Sequence, residues 1–277
     1  MIKTETGLLL KAMKRKLGAI LPVSLQRNVR RGLSEWRSAR FRPYLTSHKV
    51  FGVNLNIYIA DSIGKEWYDH DQDKVPFVRH YETSLASSRL ILYIGAHYGV
   101  YANAFARMSR GKVVSVEASP KAYAAAIKNI EVTQPIGHVC IHAAISDKTG
   151  WVEFTHGCQA STGDPGIPTV KVPAVTIDDL VTTHGRPGWI ILDVEGYEQK
   201  ALSGASETLK DGSISWWVEV HNGCGLQTFG GSLAGILEKF EGRDLMMCRD
   251  SGSDGVMRFS HLDPLSRERF HLIAPAA

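Results

Sequence analysis

Gly95-Ala96-His97-Tyr98-Gly99, followed about 20 residues later by Glu117, has the residue types and spacing of a turn that holds a nucleoside. Glycines let the backbone approach a ligand closely. The helix start behind such a turn offers N–H groups to a polar or anionic ligand. An acid at the tip of the following strand is placed to accept hydrogen bonds from a ribose. Ala96 and His97 would line the turn, and His97 reads equally well as a satisfied structural histidine. Two further groups could do chemistry. Asp193 ends the apolar run Trp189–Leu192, where an open α/β sheet places its ligands. It could face the reacting atoms or a substrate hydroxyl, or cap the turn before Tyr197. His221 follows the run Trp216–Val220, with Glu219 beside it. A neutral histidine there is the natural base for a hydroxyl proton. Glu195, just before Gly196, is expected to accept N–H bonds at a helix start.

These residues need a sheet to position them. Leu90–Ile94, Val100–Met108 and Val113–Val116 read as strand, helix, strand, with Glu117 at the end. Ser119-Pro120 starts a helix whose buried face is expected at Tyr123, Ile127 and Ile130. Further strands are expected at Val139–Ile145, Trp151–Phe154, Val170–Val175, Trp189–Leu192, Trp216–Val220, Leu245–Cys248 and Phe270–Ile273. Helices are expected at Tyr197–Lys210 and Leu233–Phe240. Gly157–Pro168 reads as a lid or as a surface loop. Strands alternating with helices give an α/β sheet with helices on both faces. Ahead of it, Val53, Leu55, Ile57 and Ile59 alternate as in a half-buried strand, with a partner expected before Gly52. Short helices are expected at Asp61–His70 and Val75–Ser84. The chain thus divides into a basic helical N-terminal extension (1–48), a small layer (49–88) and a main domain (89–277).

Composition limits the setting. The net charge is +4, but residues 1–50 hold twelve Lys/Arg against Glu5 and Glu35. A basic arm on a mildly acidic body is expected to meet something anionic. Ile2, Leu9, Met13, Leu17 and Ile20 form one apolar face, suited either to an anionic membrane surface or to packing on the body. No known nucleic-acid module accompanies Trp36, Phe41 and Tyr44, so nucleic acid is disfavoured as a partner. Four cysteines without a C-x-x-C pair fit a reducing cytosol. The expected location is cytoplasmic, peripheral to a membrane if the arm binds one.

Four blocks in order resemble the FkbM family of methyltransferases, within the Rossmann-like class I fold. They are Ile94–Tyr101, Val116–Pro120, Ala144–Gly150 and Leu192–Glu198, the last preceded by Val172-Pro173 and Thr176–Leu180. The resemblance implies S-adenosylmethionine as cofactor, held by Tyr93, Gly95, Ala96, His97, Gly99, Glu117, Ala118, Ala144 and Asp193. It implies methyl transfer to an oxygen of a small molecule, sugar, glycan or natural product. For that reaction His221 and Asp193, read above from their strand-end positions, are the expected catalytic groups. No metal is required for that reaction, although Asp178, Asp179, Asp193 and His221 leave a metal-assisted variant open. Tyr93 departs from the family, which usually has an acid there. Either an interaction is lost or the tyrosine hydroxyl replaces it, and an inactive cofactor-binding relative stays open. So does a dinucleotide-dependent oxidoreductase, although His97 and Val100 stand where G-x-G-x-x-G needs glycines.

Overall fold

The computed structural model describes residues 40–109, 111–155, 169–249, 255–260 and 269–277. The amphipathic segment 1–21 and the loop Gly157–Pro168 lie outside the described residues. The first elements are the antiparallel strands β1 (Tyr44–Val50) and β2 (Val53–Ile59). Phe51 and Gly52 both have positive φ, the turn that matches the twist of a two-stranded ribbon. Leu55, Ile57 and Ile59 are buried, as the alternation predicts. The expected 48/49 boundary falls inside β1, so residues 44–48 belong to this hairpin and not to an arm.

Helix α1 (Ser62–Tyr68) is capped by Asp61, whose Oδ1 accepts from the Ile63 and Gly64 N–H groups at 2.9 Å. The helix expected over Val75–Ser84 is two short ones, α2 (Pro76–His80) and α3 (Glu82–Ser87), hinged at Tyr81. They seat Phe77 against Trp217, with ring centroids 4.1 Å apart, and against Trp189 at 5.5 Å. The layer before residue 89 therefore shares its core with the sheet.

Then come β3 (Leu90–Ile94), α4 (Val100–Ser109), β4 (Lys112–Glu117), α5 (Pro120–Thr133), β5 (His138–His142), β6 (Ala144–Ile145), β7 (Gly150–Thr155) and β8 (Thr169–Val175). The chain continues through α6 (Ile177–His184), β9 (Trp189–Leu192), α7 (Glu198–Ser203), β10 (Ser215–His221), α8 (Leu233–Glu238), β11 (Met246–Arg249), β12 (Met257–Arg258) and β13 (Arg269–Ala274). The main sheet runs β12-β11-β13-β10-β9-β3-β4-β5. Strands β10, β9, β3, β4 and β5 are parallel, and β13 lies antiparallel between β10 and β11. Alternation along β3 sends Ile91 and Tyr93 to the face covered by the hairpin, α4 and α5. Leu92 and Ile94 go to the face covered by α6, α7 and α8.

Three expectations need correction. The strand expected over Val139–Ile145 breaks at Ala143, and β6 joins β7 and β8 in a separate three-stranded sheet. The helix expected over Tyr197–Lys210 stops at Ser203, and a 3₁₀ turn covers Thr208–Lys210. Gly204 follows, where a Cβ would overlap the Ser146 carbonyl oxygen. The third concerns α5, which buries Ala122, Ala125, Ala126, Asn129 and Thr133, while Tyr123, Ile127 and Ile130 are only half-buried. The hairpin backbone comes close there and needs small or hydrogen-bonding side chains. Asn129 Oδ1 accepts from the Tyr58 N–H at 2.7 Å, its Nδ2 donates to the Tyr98 carbonyl at 2.9 Å, and Thr133 Oγ1 donates to the Asn56 carbonyl at 2.7 Å.

Candidate active site

The carboxyl ends of β3, β4 and β9 open into one pocket. Its floor is Tyr93, Gly95, Ala96 and His97. Glu117, Ala118, Ala143 and Ala144 form one flank, and Asp193, Val194 and Glu195 the other. Ile63, Trp67, Tyr68 and Tyr101 supply an apolar wall from the N-terminal layer and α4. Motif spacing gave no sign of that wall.

Gly95 has φ +84°, and a Cβ there would overlap the carbonyl oxygen of Asp193. The absent side chain thus lets the β3 turn and the β9 end approach, as well as leaving room for a ligand. Gly99 also has positive φ, but its Cα faces Ala126 of α5 and it does not line the pocket. The expected cofactor contact at Gly99 becomes a helix–helix packing role.

Glu117 is held from both sides. Its Oε1 accepts from the Ser119 N–H and its Oε2 from the His97 N–H, each at 2.7 Å. The Ala118 N–H also acts on this carboxylate, and since a carboxylate offers about four acceptor positions, roughly one stays available to a ligand. Burial pushes the carboxyl up to about 7, against the pull of those backbone donors.

A pH dependence follows. The folded pKa lies above the ordinary value, so this group's contribution to cofactor-free stability is greatest below about pH 4.5 and is lost as pH rises to about 7. A ribose binds the ionised form, so affinity for S-adenosylhomocysteine is expected to rise across neutrality. Titration calorimetry from pH 5.5 to 8.5 should show this rise in the parent and not in Glu117→Gln. Glu117→Ala is expected to weaken binding roughly ten- to a hundredfold, the equivalent of one charge-assisted hydrogen bond. Parent-like binding by Glu117→Ala would remove Glu117 from the ribose.

His97 is a structural histidine at its ring and a turn residue at its backbone. Its Nδ1 lies 2.9 Å from the Tyr68 hydroxyl and its ring stacks on Tyr98 at 4.0 Å. Burial lowers its pKa to about 4, so it is neutral. Tyr93 is buried, with its ring edge on Phe105. Burial, then the charge of Asp193, holds its hydroxyl protonated.

Asp193 does not cap the next turn. That turn closes through the Tyr197 N–H to the Val194 carbonyl, and the Gly196 N–H donates to Glu198 Oε1 at 2.8 Å. Asp193 Oδ1 is buried without a hydrogen-bond partner among the described residues. Burial, then the charge of Glu219, raises its carboxyl well above the usual range, while His221 opposes the rise.

His221 lies behind Asp193 and Glu195 and does not line the pocket. Its Nδ1 is 2.7 Å from Glu198 Oε1, and both side chains are essentially inaccessible. Its Nε2 faces Glu195 Oε2 at 3.4 Å, and Asp193 Oδ1 and Glu219 Oε1 at 3.9 Å each. Burial alone would lower its pKa. The Glu198 hydrogen bond and the surrounding carboxylates raise it to about 9 instead. The expected neutral base is thus an imidazolium near pH 7, an anchor for carboxylates. Glu195 is corrected as well: it points at His221, and the buried Glu198 takes the helix-start N–H. Asp178 and Asp179 lie outside this cluster. Asp179 completes a capping box with Thr176, and Asp178 accepts from Glu207 and Thr208.

The parallel sheet, its glycine turn and the acid at the next strand tip define a Rossmann-like fold of the methyltransferase class. The model of the FkbM methyltransferase domain matches residues 94–239, more than half of the chain. The chain belongs to the FkbM methyltransferase family. No curated protein matches it. Among solved structures it is similar to the methyltransferase FkbM from Methylobacillus flagellatus KT, at 13% identity and TM-score 0.45, over 68% of this chain and 44% of that one. The chain thus spans less than half the length of that protein. A 16S rRNA N2 methyltransferase from T. thermophilus aligns at 15% identity and TM-score 0.46, over 85% of this chain and 51% of that one. A SAM-dependent methyltransferase from Aquifex aeolicus aligns at 10% identity and TM-score 0.38, over 68% and 82%. No helix among the described residues is long and apolar enough to cross a membrane.

Proposed function

We propose that the protein binds S-adenosylmethionine in this pocket and methylates a hydroxyl of a small molecule, sugar, glycan or natural product. The observation that carries the reading is the opposition of two acids across Gly95. Glu117 is fixed by backbone donors with an acceptor position to spare, and Asp193 presents a buried oxygen without a partner among the described residues. The residues suit the cofactor: an acid for a ribose, a backbone turn cleared of side chain at Gly95, and small flanks at Ala118 and Ala144. When bound, S-adenosylmethionine supplies a methyl group already activated on a sulfonium sulfur.

The protein's own task is then alignment, exclusion of water and removal of one proton. Tyr68, Tyr101 and Trp67 exclude water from one side. Asp193 takes the hydroxyl proton in its ionised form, which the neighbouring His221 favours against the burial that raises its carboxyl. The His221 imidazolium holds Asp193, Glu195 and Glu219 together and does not itself take the proton. Oxygen as the acceptor atom rests on the family resemblance, and Asp193 is placed to take the proton that a hydroxyl would lose.

S-adenosylhomocysteine at 100 times its dissociation constant is expected to add about 2.7 kcal/mol of stability, or about 5–10 °C in melting temperature. A shift with NADH and none with S-adenosylhomocysteine would overturn the methyltransferase reading in favour of the oxidoreductase. Release of S-adenosylhomocysteine in the presence of hydroxyl acceptors then separates an active enzyme from a relative that only binds cofactor.

A further inference from the structure

The cluster behind the pocket holds more than the methyl-transfer reading needs. Asp193, Glu219 and His221 each offer one ligand atom, and these atoms lie within 4.8 Å of one another. Glu195 Oε2 is 3.4 Å from the same histidine nitrogen. Acids gathered on a strand end are common without any ligand. The histidine is what distinguishes this group. Its side chain is 2% exposed, its Nε2 has no hydrogen-bond partner among the described residues, and that atom points into the carboxylates. Asp193 Oδ1, 3.9 Å away, is also buried without a partner among them. Without an occupant, the Nε2 proton meets these carboxylates only across 3.4–3.9 Å and makes no hydrogen bond among the described residues. A cation would take the place of that proton, which is released on binding, and would be held by the same atoms.

The far side of the ring is arranged as it is in metal-binding histidines. Nδ1 is locked to the fully buried Glu198 carboxylate at 2.7 Å, and Glu198 is held in turn by the Gly196 N–H at 2.8 Å. A carboxylate on one ring nitrogen fixes the ring and strengthens the other nitrogen as a ligand. Glu219 also meets Arg269, whose Nε is 3.2 Å from Glu219 Oε1. That guanidinium sits at the rim on the β13 side, and neither Asp193 Oδ1 nor His221 Nε2 gains a partner from it.

We propose that Asp193, Glu219 and His221, with Glu195 at the edge, bind one divalent cation, and that Glu198 positions His221 for it. One imidazole nitrogen with carboxylate oxygens suits a cation of intermediate hardness such as Mn²⁺ better than a soft thiophilic ion. The ligand atoms lie somewhat farther apart than ligands sharing an ion, so small rotations of the Asp193 and Glu219 side chains would close the site. Asp193 and Glu195 line the pocket, so the cation would sit where an acceptor hydroxyl could reach an open coordination position. That role rests on the methyl-transfer reading. The binding itself does not.

The test uses the full chain, stripped with chelator and titrated with MnCl₂, following free Mn²⁺ by electron paramagnetic resonance. One equivalent is expected to bind, with nitrogen coupling from one imidazole in the pulsed spectrum of the parent protein. Glu198→Gln is expected to weaken binding about ten- to a hundredfold, as outer-sphere partners of metal-bound histidines do. Asp193→Asn, which keeps the side-chain shape, is expected to weaken it further. Absence of bound Mn²⁺, or bound Mn²⁺ without imidazole coupling, would overturn the proposal even if every variant failed to fold. S-adenosylhomocysteine is titrated into the same stripped protein, before and after MnCl₂. If it binds and Mn²⁺ does not, the cation site is removed and the methyl-transfer reading stands. Mn²⁺ bound through an imidazole without any binding of S-adenosylhomocysteine does the reverse.

Discussion

Gly95→Ala is expected to lower the melting temperature by about 10 °C, corresponding to roughly 3–5 kcal/mol. Two causes add. Alanine at φ +84° is strained by about 1–3 kcal/mol. Its Cβ would also overlap the Asp193 carbonyl oxygen, and relieving a core overlap costs typically about 1–3 kcal/mol more. Neither partner can yield easily. The Gly95 and Ala96 N–H groups donate to the Val116 carbonyl, and the Asp193 N–H donates to the Ile94 carbonyl. Gly185→Ala is the control, because Gly185 has φ +95° and a Cβ added there would meet no atom within 4 Å. It should show the backbone cost alone. Equal melting temperatures for the two variants would mean that the β3 turn and the β9 end are not in close contact.

Glu198→Ala is expected to cost about 3–5 kcal/mol, the usual result of removing one member of a buried ion pair. The change strands His221, which is 2% exposed, among groups it no longer balances, and frees the Gly196 N–H. Glu198→Gln should cost less, because an amide oxygen can still accept from that N–H. Urea unfolding gives both values from the shift in midpoint at constant slope. A Glu198→Ala midpoint within error of the parent would show that the Glu198–His221 pair does not hold the β9 and β10 ends together.

What the sequence showed depended on how local the cause was. The β3–α4–β4 unit was legible because apolar runs, glycines and an acid lie within one short stretch. Asp193 and His221 were legible because they end apolar runs in a sheet that reads α/β. The protonation of His221 was not legible, since Asp193, Glu195 and Glu198 just past the end of β9 meet its ring only because β9 and β10 are neighbours in the sheet, with Glu219 on its own strand. Glu198 lay inside a recognised block, yet nothing marked it as the acid pointing inward and Glu195 as its neighbour. Gly99 looked like Gly95 in sequence, and only the approach of Ala126 separates their roles. The buried face of α5 was misplaced for a similar reason. Apolar periodicity favours the largest residues, while the hairpin backbone selects Asn129 and Thr133 for their hydrogen bonds. Tyr68 and Trp67 joined the pocket from a helix that no motif reaches.

Strand β13 has a consequence for the order in which the protein is made. It fills the place beside β10, pairing Trp216 with Ala274 and His221 with Arg269. On a ribosome, β10 emerges with β9 available on one side and nothing on the other. Its missing neighbour follows after roughly 50 further residues, or about 2–10 s of translation. During that interval the edge of Trp216-Trp217-Val218 presents unpaired backbone groups beside large apolar side chains, a template for other nascent chains. The step most exposed to misassembly in the cell is thus the late insertion of β13, in the interior of the sheet and far along the chain from the glycine turn.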